Sequence, residues 1–244
     1  MKILFIANSF GEDATRHLEA IAEGELFVRN LYIGGCSLKM HAENIRSGAA
    51  AYQYQKDAVM LDMASVKDAL LREEWDFISV QQVSNESGLI DSYEPYLKEL
   101  IDFIREYRPH SRIVFHRTWS YDVGSHHPCF STYNCDSAYM DEMIERTAEK
   151  ISQRYSLPVI PSGVAVMRAR ALPEFAVGDG EASLTRDTFH LSECYGRYLA
   201  GLVAYRFFTG KCALGVKYIP EGCEPGLARK LQEIADGVEY KREL

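Results

Sequence analysis

Five short segments of the chain are largely apolar, and polar turn residues end each of them. A continuous apolar run of this length is typical of a parallel strand that is buried on both faces. Each run therefore predicts one strand of a central sheet. The predicted strands cover residues 3–7, 26–33, 77–81, 112–116 and a short stretch between Pro158 and Pro161.

Segments with hydrophobic residues at helical spacing lie between these strands. The clearest one, residues 93–107, has an apolar face formed by Leu97, Leu100, Ile101 and Ile104. The other predicted helices cover residues 13–23, 66–72, 136–155 and 192–208. Strands that alternate with helices predict a doubly wound α/β fold, in which a parallel sheet of about five strands carries helices on both faces.

The composition is that of an ordinary globular protein. With 244 residues, 47% hydrophobic and 25% charged, the chain suits one α/β domain spanning residues 1–244. The formal net charge is −8, and the sequence contains no long block of like charges. We therefore expect neither a nucleic acid nor a membrane as a partner.

The cysteines and the N-terminus bear on the cellular compartment. The six cysteines form no CxxC pair and no zinc-ligand spacing, so we expect free thiols, although Cys129 and Cys135 in one loop could pair. The first apolar run is too short for a signal peptide, and no stretch is long enough to span a membrane. The expectation is a cytoplasmic protein.

Ser9 follows the first predicted strand directly, in the sequence Asn-Ser-Phe-Gly. Ligands of doubly wound sheets bind beyond the carboxyl ends of the strands, so a serine at this position is a candidate nucleophile. A helix that starts here would also favour developing negative charge. The residue alone is ambiguous, because serine is a common N-terminal cap of a helix.

Asp187 and His190 lie three residues apart, just before the last predicted helix. A carboxylate at this spacing can orient an imidazole ring and stabilise its protonated form, while the other ring nitrogen accepts the proton of a serine. A solitary DxxH sequence is not specific, since the aspartate can instead cap a turn beside a surface histidine. Together with Ser9, the pair predicts a catalytic triad.

Several motifs resemble those of the SGNH (GDSL-like) hydrolases, in the same chain order. Asn-Ser-Phe-Gly after the first strand resembles the first block of that superfamily, and Asp187-Thr-Phe-His190 resembles the last. Residues 30–37, which include two consecutive glycines, fall at the second block. Residues 33–38, 75–84 and 190–198 are similar to one branch of the superfamily that is known mainly as a domain of unknown function.

This resemblance implies a flavodoxin-like three-layer α/β/α fold and ester hydrolysis through an acyl-enzyme. Ser9 would attack the carbonyl carbon, His190 would act as general base and then as acid, and Asp187 would orient His190. The backbone N–H groups of Ser9 and of Gly34 or Gly35 would stabilise the oxyanion.

A side-chain amide after the third strand would complete the oxyanion hole, and here the sequence departs from the family pattern. SGNH hydrolases generally carry Gly-x-Asn-Asp, whereas residues 81–86 read Gln-Gln-Val-Ser-Asn-Glu. Asn85 takes the asparagine position in an ungapped alignment, but Val83 replaces the glycine. Some carbohydrate acetylesterases of the superfamily carry Gln-Gly-Glu instead. That variant favours Gln81, which is nearer the strand end, with Asn85 as the second choice.

Two long connections, residues 36–62 and 117–135, are expected to surround the site, because long loops in compact domains are often functional. Aromatic and histidine side chains in or beside them are candidates for stacking on a sugar ring. The alternative is that they pack the loops against the body of the protein. The candidate substrate-binding residues are Trp119, Tyr121, His116, Tyr52 and His41.

The predicted function is an esterase that removes an acetyl or another short acyl group from a small, carbohydrate-like substrate. His126 and His127 lie near Asp122 without further ligands at a recognisable spacing, so we assign no metal and no cofactor. Two alternatives stay open: a non-catalytic protein that binds a carbohydrate or small molecule on the same fold, and a hydrolase of a different acyl ester or thioester.

Overall fold

The computed structural model describes residues 1–178 and 182–240, which form one sheet flanked by helices. The strands are β1 (Lys2–Ala7), β2 (Phe27–Tyr32), β3 (Tyr52–Lys56), β4 (Val59–Ala64), β5 (Phe77–Val80), β6 (Arg112–His116) and β7 (Val159–Ile160). Their spatial order is β4-β3-β2-β1-β5-β6-β7, and all neighbours from β2 to β7 pair in parallel. The predicted α/β fold with a mostly parallel central sheet is confirmed.

The sheet has seven strands rather than about five, because the connection after β2 contains a hairpin. β3 pairs antiparallel with both β2 and β4, and the hairpin turns at Asp57 and Ala58, which have positive φ. β3 reads Tyr-Gln-Tyr-Gln-Lys. It therefore lacks the continuous apolar run by which the buried strands are recognised in the sequence.

Helices cover both faces of the sheet in the described ranges: α1 (Ser9–Thr15), α2 (Leu18–Ile21), α3 (Leu38–Ser47), α4 (Val66–Arg72), α5 (Tyr96–Tyr107), α6 (Ser137–Tyr155), α7 (Ser162–Arg170), α8 (Tyr195–Thr209) and α9 (Pro225–Gly237). Ile3 and Phe5 of β1 pack into the core with α1, α2, α7, α8 and α9, whereas Leu4 and Ile6 pack with α3, α4 and α5. The alternation of side chains along β1 thus produces three layers. None of these helices is both long and apolar enough to cross a membrane.

The first helix begins at Ser9, whereas the hydrophobic spacing predicts a helix at residues 13–23. Asn8 causes the early start, because its side-chain oxygen accepts a 3.1 Å hydrogen bond from a backbone N–H of the first turn. Gly11 allows α1 to lie close to β1, since a Cβ atom there would be 2.3 Å from a side-chain atom of the strand. The chain therefore turns from strand to helix at Ser9 itself.

Cys194 and Cys223 form a disulfide, so the expectation of free thiols is wrong for this pair. Their Cα atoms lie 5.6 Å apart despite a sequence separation of 29 residues. The bond joins the starts of α8 and α9, two helices that pack against each other. Because only this packing brings Cys194 and Cys223 together, no local pattern in the sequence identifies the two cysteines as a pair. The other cysteines are free: Cys36, Cys129, Cys135 and Cys212.

Candidate active site

Two hydrogen bonds connect Ser9, His190 and Asp187 at the carboxyl end of the sheet. The His190 ring donates from Nδ1 to Asp187 Oδ2 over 2.7 Å. The other ring nitrogen, Nε2, is then an acceptor, and the Ser9 hydroxyl donates to it over 2.8 Å. The structure therefore brings together the three residues of the predicted triad, in the arrangement that activation of a serine by a general base requires.

A tight turn before α8 carries both Asp187 and His190. The Arg186 backbone N–H donates to the His190 carbonyl over 2.9 Å, and Thr188 within the turn has a φ of 74°. Asp187 Oδ1 also accepts the His190 backbone N–H over 2.8 Å. The carboxylate is thus bound to both the backbone and the ring of His190, which restricts the orientation of the imidazole.

The Asp187 carboxylate is held in its ionised form. Burial raises the pKa of Asp187, but the hydrogen bonds from the His190 ring and backbone outweigh burial, so the pKa lies below its usual value. An ionised carboxylate beside Nδ1 stabilises the imidazolium that forms when Nε2 takes up a proton.

A chain of buried hydrogen bonds runs along the carboxyl ends of the strands, beneath the turn after β1. The Ser162 hydroxyl donates to His116 Nε2 over 2.9 Å, and His116 Nδ1 donates to Gln81 Oε1 over 2.8 Å. Gln81 Nε2 donates to Asn8 Oδ1 over 2.9 Å, and Asn8 Nδ2 donates to the Cys36 carbonyl over 3.0 Å. The chain fixes the position of Asn8, which caps the helix that Ser9 begins.

This arrangement changes the roles expected for His116 and Gln81. Both side chains are only 1% exposed. Burial lowers the pKa of His116 to about 3, which keeps its ring neutral, and the ring contacts protein groups rather than a substrate. The Gln81 amide is already bonded to Asn8. A polar residue at a strand end can point inwards or outwards, and sequence spacing does not distinguish the two directions.

Asn85 is the amide that the fold leaves open. It lies in a short 3₁₀ helix (Ser84–Glu86) after β5 and is partly exposed. Its backbone carbonyl accepts the Tyr133 hydroxyl over 3.1 Å, whereas its side-chain amide has no hydrogen-bond partner in the described part of the chain. The backbone is therefore anchored, and the amide remains available to a ligand.

Gly34 and Gly35 form an exposed turn directly after β2. A 3.2 Å hydrogen bond from the Cys36 N–H closes the turn, and Gly35 has a φ of 65°, a conformation that favours glycine. Asn8, the residue that precedes Ser9, donates to the Cys36 carbonyl and so connects this turn to the start of α1. Both glycines lie at the same sheet edge as the triad serine.

Trp119 and Tyr121 are packing residues, which corrects their assignment as substrate contacts. Both are fully buried. The Trp119 ring stacks on Phe10 at a centroid distance of 4.4 Å, and its Nε1 donates to the Phe189 carbonyl over 2.8 Å. The Tyr121 hydroxyl is hydrogen-bonded to the Ser84 hydroxyl over 3.0 Å. These contacts hold the loop after β6 against α1 and against the turn that carries Asp187 and His190. They leave no ring face open to a sugar.

Tyr52 and His41 are also buried, and the same correction applies to them. Their rings lie parallel with centroids 5.6 Å apart, and the Tyr52 hydroxyl donates to His41 Nδ1 over 2.9 Å. Burial lowers the pKa of His41 to about 3. The pair attaches α3 to β3. The two residues meet because the connection after β2 folds into a helix and a hairpin rather than an open loop.

Phe189 and His127 are aromatic residues beside the triad that the sequence did not identify as substrate contacts. The Phe189 ring lies 4.3 Å from the His190 ring, and His127 lies 4.9 Å from Phe189, measured between centroids. Both are partly exposed. In the sequence, Phe189 is only a spacer within DxxH, and His127 is considered only in connection with a metal, which its spacing does not support. No group of three metal-ligating side chains converges within residues 1–178 and 182–240.

Solved structures with a similar fold include proteins of both unknown and assigned activity. A DUF4886 family protein from Bacteroides uniformis matches with a TM-score of 0.88 and 34% identity, over 97% of this chain and 93% of that one. A protein from Slackia heliotrinireducens assigned to the SGNH hydrolases matches with a TM-score of 0.58 and 20% identity, over 84% and 97% of the two chains. A lipase/acylhydrolase from Enterococcus faecalis matches with a TM-score of 0.53 and 17% identity, over 86% of this chain and 95% of that one.

The sequence itself matches one protein family. No curated protein matches it. The model of DUF4886, a domain of unknown function, covers residues 2–235. This coverage and the likeness to the Bacteroides uniformis protein agree with each other. The chain therefore belongs to the DUF4886 family, and its fold is that of the SGNH hydrolases.

Proposed function

We propose that this protein is a serine ester hydrolase that works through an acyl-enzyme on Ser9. The observation that carries the proposal is the continuous path from the Ser9 hydroxyl through the His190 ring to the Asp187 carboxylate, with hydrogen bonds of 2.8 Å and 2.7 Å. A protein that only binds a ligand does not need this path, because each of the three side chains could form its hydrogen bonds with water instead.

The reaction follows from the hydrogen-bond directions. His190 Nε2 removes the proton of the Ser9 hydroxyl as the oxygen attacks the ester carbonyl, and Asp187 stabilises the resulting imidazolium. The imidazolium then protonates the leaving alcohol, which departs and leaves the acyl group on Ser9. Water enters, His190 takes its proton, and collapse of the second tetrahedral intermediate releases the acid and restores the serine.

The oxyanion is stabilised by the Ser9 N–H, by the N–H of Gly34 or Gly35, and by the Asn85 side chain. The glycine turn and Ser9 lie at one sheet edge and are connected through Asn8. Asn85 replaces Gln81 as the proposed third donor, because the Gln81 amide is bonded within the buried chain while the Asn85 amide is open. Each such donor is typically worth about 3 kcal/mol of the barrier.

The proposed substrate carries an acetyl or another short acyl group on a carbohydrate-like alcohol. Partly exposed Phe189 and His127 beside His190 offer aromatic surface for a sugar ring. The carbohydrate part of the proposal rests on these two rings, since the aromatic side chains predicted from the sequence are buried. An assay across acetylated sugars and esters of increasing acyl length tests this part.

Turnover of p-nitrophenyl acetate and labelling by a fluorophosphonate test the catalytic proposal. Ser9→Ala should lower kcat by at least about 10³-fold and should abolish labelling, whereas the surface variant Ser47→Ala should behave as wild type. Equal turnover by wild type and Ser9→Ala, or label attached to a different residue, would contradict it.

A further inference from the structure

Asp13 is a fully buried carboxylate on the helix that Ser9 begins. It has an exposed fraction of 0% and lies about one helical turn after Ser9 in α1. None of the reaction steps uses it. Burial of a charged group is unfavourable unless the group is paired and hydrogen-bonded, so its partners indicate its role.

Both oxygens of Asp13 bind the turn that carries Asp187 and His190. Oδ1 accepts a hydrogen bond from Arg186 Nη1 over 2.9 Å, and Oδ2 accepts one from the Leu191 backbone N–H over 2.8 Å. Arg186 directly precedes Asp187, and Leu191 directly follows His190. The Asp13 carboxylate on α1 therefore holds both ends of the turn that carries Asp187 and His190.

Two arginines balance the charge of Asp13. Arg197 Nε in α8 donates to Oδ1 over 2.7 Å, in addition to the ion pair with Arg186. Arg186 also donates to the Leu191 carbonyl, which closes the base of the turn. Asp13 thus connects three elements: α1, the turn that carries Asp187 and His190, and α8.

We propose that Asp13 is a positioning residue, which sets the distance between Ser9 Oγ and His190 Nε2. The role rests on the proposed hydrolysis. Asp187 and His190 are bonded to each other within the turn, so their contact does not need Asp13. The contact between Ser9 and His190 joins segments 181 residues apart and depends on an anchor between α1 and the turn. Asp13 supplies the hydrogen bonds of that anchor, beside the ring contact between Phe10 and His190, and a misplacement of about 1 Å costs about 10² in rate.

Asp13→Asn tests the proposal, because it keeps the side-chain size and removes the charge that both arginines face. We expect kcat for p-nitrophenyl acetate to fall about 10²-fold, with KM changed less than about threefold, since none of the proposed oxyanion donors lies on the turn of residues 186–191. Asp236→Asn is the matched control. Asp236 is likewise bonded to backbone N–H groups, those of Ala213 and Leu214, and to an arginine, Arg206, but it lies on α9. It should keep kcat within about twofold.

Amide hydrogen exchange gives a second readout that does not depend on catalysis. In Asp13→Asn, the amides of residues 186–191 should exchange at least about tenfold faster, while those of β1 and β5 keep the protection of the wild type. A purely global loss of stability would accelerate exchange in the sheet as well.

Wild-type kcat in Asp13→Asn, with unchanged exchange in the turn, would overturn the proposal. An equal fall in kcat in Asp236→Asn at the same loss of thermal stability would overturn it too. If the wild type neither hydrolyses the ester nor reacts with the fluorophosphonate, the proposed function fails separately. The exchange measurement then still decides whether Asp13 anchors the turn.

Discussion

The side-chain amide of Gln81 donates to Asn8 Oδ1 over 2.9 Å, in the interior beneath the turn that carries Ser9. Its carbonyl oxygen accepts the Nδ1 proton of His116, so both ends of the amide have protein partners. Asn85, four residues later, carries an amide that is open within the described structure. The two amides that the sequence leaves as alternatives therefore have different environments and should respond differently to substitution.

Asn85→Ala should lower kcat for p-nitrophenyl acetate about 10²-fold, because one of the proposed donors to the oxyanion is removed. The melting temperature should change little, since the side-chain amide has no hydrogen-bond partner within residues 1–178 and 182–240. Steady-state kinetics and thermal unfolding measure the two effects. Wild-type kcat in this variant would exclude Asn85 from the oxyanion hole.

Gln81→Leu should instead lower the free energy of unfolding by about 3 kcal/mol, because Asn8 and His116 would each lose a partner for a buried polar group. Urea unfolding measures this effect. A stable Gln81→Leu variant with a selective loss of kcat would return the oxyanion role to Gln81.

Asp187→Asn should reduce kcat by about 10³–10⁴-fold while the fold is retained. The amide cannot stabilise an imidazolium, and its NH₂ group facing Nδ1 would favour the wrong ring tautomer. Kinetics with circular dichroism as the control for folding tests the prediction. A loss smaller than about tenfold would show that another group orients His190.

His41 and His116 should make the protein less stable as the pH falls below about 6.5. Burial lowers the pKa of each to about 3, whereas the unfolded chain binds the proton near the ordinary value. Between these two values the unfolded state takes up a proton that the folded state excludes. Each histidine therefore removes about 1.4 kcal/mol of stability per pH unit, and contributes no such loss above that range.

Urea unfolding at pH 6 and pH 5 measures this slope. In His41→Phe, the loss of stability between these two pH values should be smaller than in wild type by about 1.4 kcal/mol. The exposed His110→Gln is the control variant. An identical slope in wild type and His41→Phe would mean that the His41 ring is protonated in the folded protein.

Cys223→Ser should lower the free energy of unfolding by about 3 kcal/mol, because the disulfide with Cys194 closes a loop of 29 residues. A reductant should lower the stability of wild type and leave this variant unchanged. Thiol titration of the denatured, unreduced protein should find four free cysteines, and a count of six would contradict the disulfide.

The buried layers of the fold were accessible from the sequence because their signals are local. β1, β5 and β6 are short apolar runs, and α5 has one apolar face, so burial on both sides or on one side is recorded in consecutive residues. The rule that sites lie at carboxyl ends of parallel strands then directed attention to Ser9. The edge hairpin of β3 and β4 was not predicted, because β3 lacks a continuous apolar run, and the helices α3, α7 and α9 were not predicted either.

The sequence by itself therefore determined the α/β class and the identity of Ser9, Asp187 and His190 as candidates. Only the tertiary structure decided that Trp119, Tyr121, Tyr52 and His41 are interior. The physical reason is that an aromatic or polar side chain has the same chemistry in the interior and at the surface. Whether it packs, accepts a hydrogen bond or meets a substrate depends on partners that lie tens to hundreds of residues away in the chain. Asp13 is the clearest case, since its partners at positions 186, 191 and 197 are adjacent to it only in the folded protein.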